Sequence, residues 1–305
     1  MKREFNVLLS KHLPVDTRDE DWAKLNNIAN ILIQKNSRSK LENSPKLKST
    51  HGLVTMLSDR IDEKFLKKAP KLKVIANYAV GFNNIDLDAT RKRGIVVCNT
   101  PDVLTNATAE LTLGLILAAA RRFKEGTELI RTHKFKEWHP ELLLGRELSH
   151  SRLGIIGYGR IGRAVAEKAQ ALGMQVSFCS RIAQYHSVEL AELLRTSDFV
   201  SLHCPLNSQT KNLIGKKEFA LMKPGAWLIN TARGEIVDEE ALLNALKKKN
   251  GLQGAAIDVF CGEPKLKAAL RANPKVFVLP HLGSATLQAR QAMAKLCLRA
   301  IFEVF

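Results

Sequence analysis

The chain has 305 residues, enough for about two domains at roughly 100–200 residues each. It is 45% hydrophobic and 25% charged, the balance of a globular protein with a sizeable core, which excludes a disordered or fibrous chain. Lys and Arg total 47 against 30 Asp and Glu, a net charge of +17, yet the basic residues run along the whole chain and form no tail or localisation block. The excess reads as a solvated basic surface that would also steer small anions towards a cleft. A nucleic-acid partner is not expected, because no motif accompanies the charge.

Strands are predicted, in chain order, over Asn6–Ser10, Ile28–Ile33, Gly52–Leu57, Leu72–Tyr78 and Ile95–Asn99. A helix follows over Asn106–Arg122, apolar almost all round and therefore buried. Its place between two sets of strands suggests an element that joins two domains or packs on a second subunit, with Pro101-Asp102 as a hinge. The second set of strands is Arg152–Ile156, Gln175–Cys179, Phe199–Leu202, Ala226–Asn230, Gly254–Ile257 and Val276–Leu279. Helical patterns separate them at Ile161–Leu172, Val188–Thr196, Lys216–Met222 and Glu239–Lys249. Such alternation implies right-handed βαβ units and parallel sheets with helices on both faces.

Cys98, Cys179, Cys204, Cys261 and Cys297 form no Cys-x-x-Cys pair, which argues against a disulfide framework or a zinc site and for a reducing compartment. The start, Met1-Lys2-Arg3-Glu4-Phe5, carries no signal-type apolar region. The most apolar stretch, Leu111–Ala120, is far short of the ~20 residues a bilayer requires. The expectation is a cytoplasmic protein with no membrane partner and no metal.

The strand Arg152–Ile156 runs into Gly157-Tyr158-Gly159-Arg160-Ile161-Gly162, and a helix pattern follows. In this strand–turn–helix context the three glycines serve a tight turn, close approach of a pyrophosphate, and close helix–strand packing. A dinucleotide is therefore expected on the backbone of this loop. An NAD site would place Asp or Glu at the end of the next strand to hold the ribose 2′-hydroxyl. Here that strand ends in Ser180-Arg181, a hydrogen-bonding hydroxyl and a guanidinium able to pair with a 2′-phosphate. NADP(H) is expected to be preferred, with NAD(H) as the lesser alternative.

Three later strand ends carry Arg233, Glu263 and His281, in Asn230-Thr231-Ala232-Arg233-Gly234, Asp258-Val259-Phe260-Cys261-Gly262-Glu263-Pro264 and Pro280-His281-Leu282-Gly283-Ser284-Ala285-Thr286. A doubly wound sheet places its ligands at such ends. The three residue types suit anion binding and acid–base chemistry.

With these segments in this order, the chain from about Asn77 to Phe305 closely resembles the D-2-hydroxyacid dehydrogenases. Trp138-His139-Pro140, Ser180-Arg181 and Gly283-Ser284-Ala285-Thr286 resemble the glyoxylate/hydroxypyruvate reductases among them. The resemblance implies two Rossmann-like/flavodoxin-like α/β domains with parallel sheets and a cleft between them. Residues 1–101 plus 285–305 would form the substrate domain, and 102–284 the dinucleotide-binding domain.

The resemblance further implies reduction of a small 2-oxo acid by hydride transfer. Arg233 would hold the substrate carboxylate and carbonyl oxygen, His281 would donate the proton, and Glu263 would orient His281. Asp258 would contact the nicotinamide carboxamide. Thr108, Cys204, Pro205, Thr231 and Gly283 would line the cofactor. Val80 and Gly81, in Asn77-Tyr78-Ala79-Val80-Gly81-Phe82-Asn83-Asn84, would offer backbone N–H groups to the substrate. A homodimer is expected, in which Trp138 either caps a substrate pocket or is buried without ligand contact. The family also implies a tail beyond Phe305 returning to the first domain, so that domain's packing is expected to be weakened. The alternatives are an NAD(H)-sensing corepressor-like binding protein and an NAD-dependent phosphoglycerate dehydrogenase-like enzyme.

Overall fold

The computed structural model describes residues 4–16, 18–34, 40–181 and 187–305; Met1–Arg3, part of the segment read for a leader, lie outside them. The chain divides into two compact units, Met1–Leu104 with Ser284–Phe305, and Thr105–Gly283.

The first unit holds the strands β1 (Phe5–Leu9), β2 (Ala29–Ile33), β3 (Gly52–Thr55), β4 (Val74–Asn77) and β5 (Val96–Cys98) in the order β2-β1-β3-β4-β5. All four pairings are parallel, with Leu8 beside both Leu32 and Leu53. β3 and β4 are buried along their whole length, so they read as short apolar runs with no polar alternation. Leu8, Leu53, Ile75, Phe65 and Leu66 form the core on one face. The helix Leu287–Phe302 packs on β3, β4 and the helix Glu20–Ile28. Gly52 admits it closely: a Cβ there would lie 3.1 Å from Ile301. Phe305 stacks on Phe5 with ring centroids 4.4 Å apart.

β3 stops before the predicted Leu57 because the chain turns to satisfy a side chain. The Met56 N–H donates to Asp59 Oδ2 at 2.8 Å rather than to a neighbouring strand. Asp59 Oδ2 also accepts from the hydroxyls of Ser10 and Thr55. This carboxylate therefore fills the crevice between the ends of β1 and β3, where the strand order reverses.

The second unit holds β6 (Arg152–Ile156), β7 (Gln175–Cys179), β8 (Phe199–Leu202), β9 (Trp227–Asn230), β10 (Gly254–Ile257) and β11 (Val276–Val278) in the order β11-β10-β9-β8-β6-β7. All pairings are again parallel. The buried helix expected over Asn106–Arg122 spans Thr105–Ala120. Its apolar side packs on the helix Arg160–Ala171 and on β9 and β10. Ala109, Leu113 and Ile116 join Val165, Ala166, Phe199 and Ile229 in one core. The apolar side thus serves this unit's own core, leaving Asn106, Glu110 and Gly114 as a narrow exposed line. Among the described residues no helix is long and apolar enough to cross a membrane.

Candidate cofactor loop and catalytic residues

In the second unit the strand order reverses between β6 and β8, and Gly157 follows β6 there. Gly157 has φ +97°, and a Cβ would lie 2.5 Å from the Cys204 nitrogen, so no other residue fits without displacing backbone. Gly162 is equally constrained, since a Cβ would collide with the Gly157 carbonyl. Gly159 differs: nothing lies within 4 Å of its Cβ position. The helix Arg160–Ala171 starts at Gly159 with no side-chain cap. Its first-turn N–H groups have no intrahelical acceptor, and its positive dipole end faces outward from the loop. Open space over uncapped amides is a cradle for a diphosphate, so the loop fits a dinucleotide.

Within this loop the side chains have structural work. Tyr158 stacks on Phe178 with centroids 3.7 Å apart, and both pack with Ile161 on the core. A dinucleotide on this loop would therefore meet the backbone of Tyr158 and Ile161 rather than their side chains. β7 ends at Cys179, and Arg181 is exposed just beyond it. Arg181 Nη1 hydrogen-bonds the Gln209 side-chain oxygen. Among the described residues no carboxylate pairs with Arg181, so its positive charge is not neutralised. Of the other positions that the resemblance assigns to the cofactor, Cys204, Thr231, Thr108 and Gly283 are buried and Pro205 is exposed. Cys204 lies against Gly157, where burial pushes its thiol up to about 11. Pro205 accepts from the Thr210 hydroxyl at 2.6 Å. Thr231 pairs with Thr112 at 2.9 Å. Thr108 donates to the Gly283 carbonyl at 3.1 Å.

Arg233 follows β9 on a turn held by Asn230. Asn230 is 1% exposed; its Oδ1 accepts from the Ala232 N–H and its Nδ2 donates to the Arg233 carbonyl. Arg233 Nη1 donates to Ala232 O at 2.6 Å. Burial lowers the Arg233 pKa, while Glu263 and Glu235 hold it up. An Arg remains charged under such a shift, so the site retains a half-buried cation.

Glu263 sits on the loop after β10. Its Oε1 accepts from the Phe260 N–H at 3.2 Å and its Oε2 meets His281 Nδ1 at 2.7 Å. His281 is held from behind in the left-handed region, φ +58°. Its own N–H donates to the Asp258 carbonyl, and the Asp258 carboxylate accepts from Leu282 N–H at 2.6 Å and Gly283 N–H at 2.8 Å. Burial raises the Asp258 carboxyl pKa, and these two amides draw it back. Asp258 is fully buried and both its oxygens accept from the His281 turn, which it holds in place. Among the described residues His281 Nε2 has no partner, so the Glu263–His281 pair presents one ring nitrogen outward.

In the first unit, Val80 is exposed and Gly81 half-buried on the loop after β4. Trp138 is 74% exposed, so within this chain it is not the buried aromatic that was one of its two readings. Sequence reasoning passed over Asn230 and Asn77, the last residues of β9 and β4. Asparagine is depleted in strands, so a strand-terminal Asn just before a functional turn was the available signal.

The fold and this arrangement define a nucleotide-dependent oxidoreductase. Residues 113–283 match the D-isomer specific 2-hydroxyacid dehydrogenase, NAD binding domain. Over 265 residues the chain is 46% identical to the glyoxylate reductase of Thermococcus litoralis, covering 82% of this chain and 79% of that one. Among solved structures, a Thermus thermophilus protein superposes with TM-score 0.85 at 41% identity, covering 96% of this chain and 94% of that one. An NADPH-dependent glyoxylate/hydroxypyruvate reductase from Sinorhizobium meliloti, solved with NADP and malonate, superposes with TM-score 0.82 at 27% identity, covering 96% and 91%. The chain belongs to the D-isomer specific 2-hydroxyacid dehydrogenase family. It is an enzyme that works with a nicotinamide cofactor.

Proposed function

We propose that the protein reduces a small 2-oxo acid, of the size of glyoxylate or hydroxypyruvate, to the D-2-hydroxy acid with NADPH. The observation that carries this reading is the His281 Nδ1–Glu263 Oε2 contact of 2.7 Å beside the half-buried Arg233. NADPH, held at the Gly157–Gly162 loop, would supply the hydride. Arg233 grips the carboxylate and carbonyl oxygen with its forked N–H groups. His281 delivers its Nε2 proton to that oxygen as the carbonyl becomes an alkoxide. Glu263 holds the Nδ1 proton in place and stabilises the imidazolium that must form first. In the first unit, the backbone N–H groups of Val80 and Gly81 are donors of the kind a carboxylate accepts.

The NADP(H) preference rests on Arg181, an exposed cation without a carboxylate partner among the described residues, at the end of β7. The relative from Sinorhizobium meliloti, solved with NADP, supports it. NAD(H) would serve less well. In the second unit Phe123, Ile130, Phe135, Trp138 and Leu144 are all exposed large apolar residues. Such an exposed apolar set is what an interface between copies would bury, so the protein acts as a homodimer in this reading. Free cysteines throughout the described chain suit the cytoplasm.

The test is a panel: NADPH and NADH oxidation followed with glyoxylate, hydroxypyruvate, pyruvate and 3-phosphohydroxypyruvate. Turnover led by NADPH with the two smallest polar acids is expected. Turnover led by NADH with the phosphorylated acid would replace this reading with a phosphoglycerate-type enzyme. Cofactor binding without any turnover would replace it with a cofactor-sensing binding protein.

A further inference from the structure

In the loop after β4, four consecutive backbone carbonyls, from Ala79 to Phe82, are all tied back by donors, whereas of their N–H groups only that of Ala79 is bonded among the described residues, to the Asn77 carbonyl at 2.8 Å. The Ala79 carbonyl accepts from the Thr100 N–H at 3.0 Å. The Val80 carbonyl accepts from Asn99 Nδ2 at 2.8 Å. The Gly81 carbonyl accepts from Asn77 Nδ2 at 2.7 Å. The Phe82 carbonyl accepts from the Ile85 N–H at 2.8 Å. The N–H groups of Val80, Gly81 and Phe82, by contrast, have no acceptor among the described residues. Backbone donors are almost always satisfied by protein or water. Three consecutive open ones, on a segment whose carbonyls are all tied back, form a concave set of partial positive charges suited to a carboxylate.

We propose that Asn77 and Asn99 are positioning residues for substrate, acting by holding the Gly81 and Val80 carbonyls so that the Phe82 and Gly81 amides face outward beside that of Val80, whose peptide the Thr100 N–H fixes. The inference rests on the reading of the protein as a 2-oxo acid reductase whose first unit binds the carboxylate. Asn77 is 0% exposed. Its carboxamide is itself locked by a reciprocal pair with Asn84, whose Nδ2 reaches Asn77 Oδ1 at 3.1 Å while Asn77 Nδ2 reaches Asn84 Oδ1 at 3.2 Å. Asn84 Nδ2 continues to the Met56 carbonyl at 3.1 Å. The clamp is thus anchored to the loop after β3 and does not depend on the substrate loop alone. Asn99 approaches from the segment after β5. A peptide plane carries its N–H and C=O in opposite directions, so fixing a carbonyl inward fixes the next residue's N–H outward. Replacing either carboxamide by a carboxylate puts oxygen against oxygen and drives that peptide to turn.

The experiment uses the full chain with Asn99→Asp and Asn77→Asp. Asn99 is half-buried, so its variant tests the idea even if the buried Asn77→Asp fails to fold. Asn99→Asp should raise KM for glyoxylate about tenfold, the scale of a lost hydrogen bond to a charged group, with kcat and KM for NADPH within about twofold. In parallel, the 15N-labelled protein is titrated with oxalate. The Val80, Gly81 and Phe82 amide signals should shift in the unsubstituted protein and shift far less in Asn99→Asp. An unchanged KM with equal amide shifts in both proteins would overturn the inference, as would amides that ignore oxalate in the unsubstituted protein. If the amides respond as expected but no 2-oxo acid is turned over, the clamp stands and the reductase reading falls.

Discussion

The two sheets share a strand order through their first five strands but treat the point of reversal in opposite ways. In the second unit Gly159 leaves open space over an uncapped helix start. In the first, the equivalent crevice is plugged by Asp59, which accepts from Ser10, Thr55 and Met56. The protein's own carboxylate takes the place a ligand anion would hold, and the open backbone N–H groups lie one strand over, in the loop after β4. Two buried asparagines extend the contrast. Asn230 and Asn77 each end a strand and clamp the turn that follows. One turn presents a charged side chain, Arg233; the other presents bare backbone amides. A shared topology thus supplies strand ends, and the side chains placed there decide which end binds.

The comparison can be broken most severely at the open crevice. Gly157→Val should abolish measurable cofactor binding, because the new side chain meets the Cys204 backbone; dinucleotide fluorescence titration checks this. Arg181→Ala should cut the NADPH-over-NADH preference in kcat/KM by roughly 10- to 100-fold, the range of a lost charge-assisted pair. An unchanged ratio would leave Arg181 a solvated surface residue and return the cofactor choice to other groups.

At the closed crevice the effect should fall on stability. Asp59→Ala strands the Met56 N–H and two hydroxyls and should cost about 1–3 kcal/mol, read from denaturant midpoints, while NADPH affinity stays unchanged. The smallest effect concerns His203, beneath the strand ends with Nε2 2.8 Å from Ser201 Oγ. Burial lowers its pKa from 6.5 to about 4. The unfolded chain therefore binds a proton between those values that the folded chain refuses, so stability falls as pH falls from 6.5 to 4. The loss is at most ~3 kcal/mol, reduced because the residue keeps some surface in water. His203→Asn should flatten that part of the Tm–pH curve relative to the unsubstituted protein.

Much of this was legible in the residues alone. The strands Arg152–Ile156, Phe199–Leu202 and Gly254–Ile257 lie where their apolar runs end, since parallel strands buried on both faces announce themselves by composition. The glycine loop was legible because each glycine answers a steric demand. The ends of β3 and β4 were less so: a side chain such as Asp59 can draw backbone out of a ladder, and no periodicity records that. Asn77, Asn84, Asn99 and Asn230 were hidden for a related reason. A carboxamide's partners are chosen by the loop's conformation, and the same residue on an exposed turn would bond to water. Asp258 was legible as a polar residue at its strand end, but its bonds to the Leu282 and Gly283 N–H groups were set by the turn that follows.

The central claim is that His281, oriented by Glu263, delivers the proton that completes reduction of a 2-oxo acid. Single-turnover NADPH oxidation with glyoxylate, comparing the unsubstituted protein with His281→Ala, tests it most directly. The account predicts a fall in the chemical rate of about 10²–10⁴-fold with NADPH affinity retained. A variant that oxidises NADPH at the original rate would contradict it.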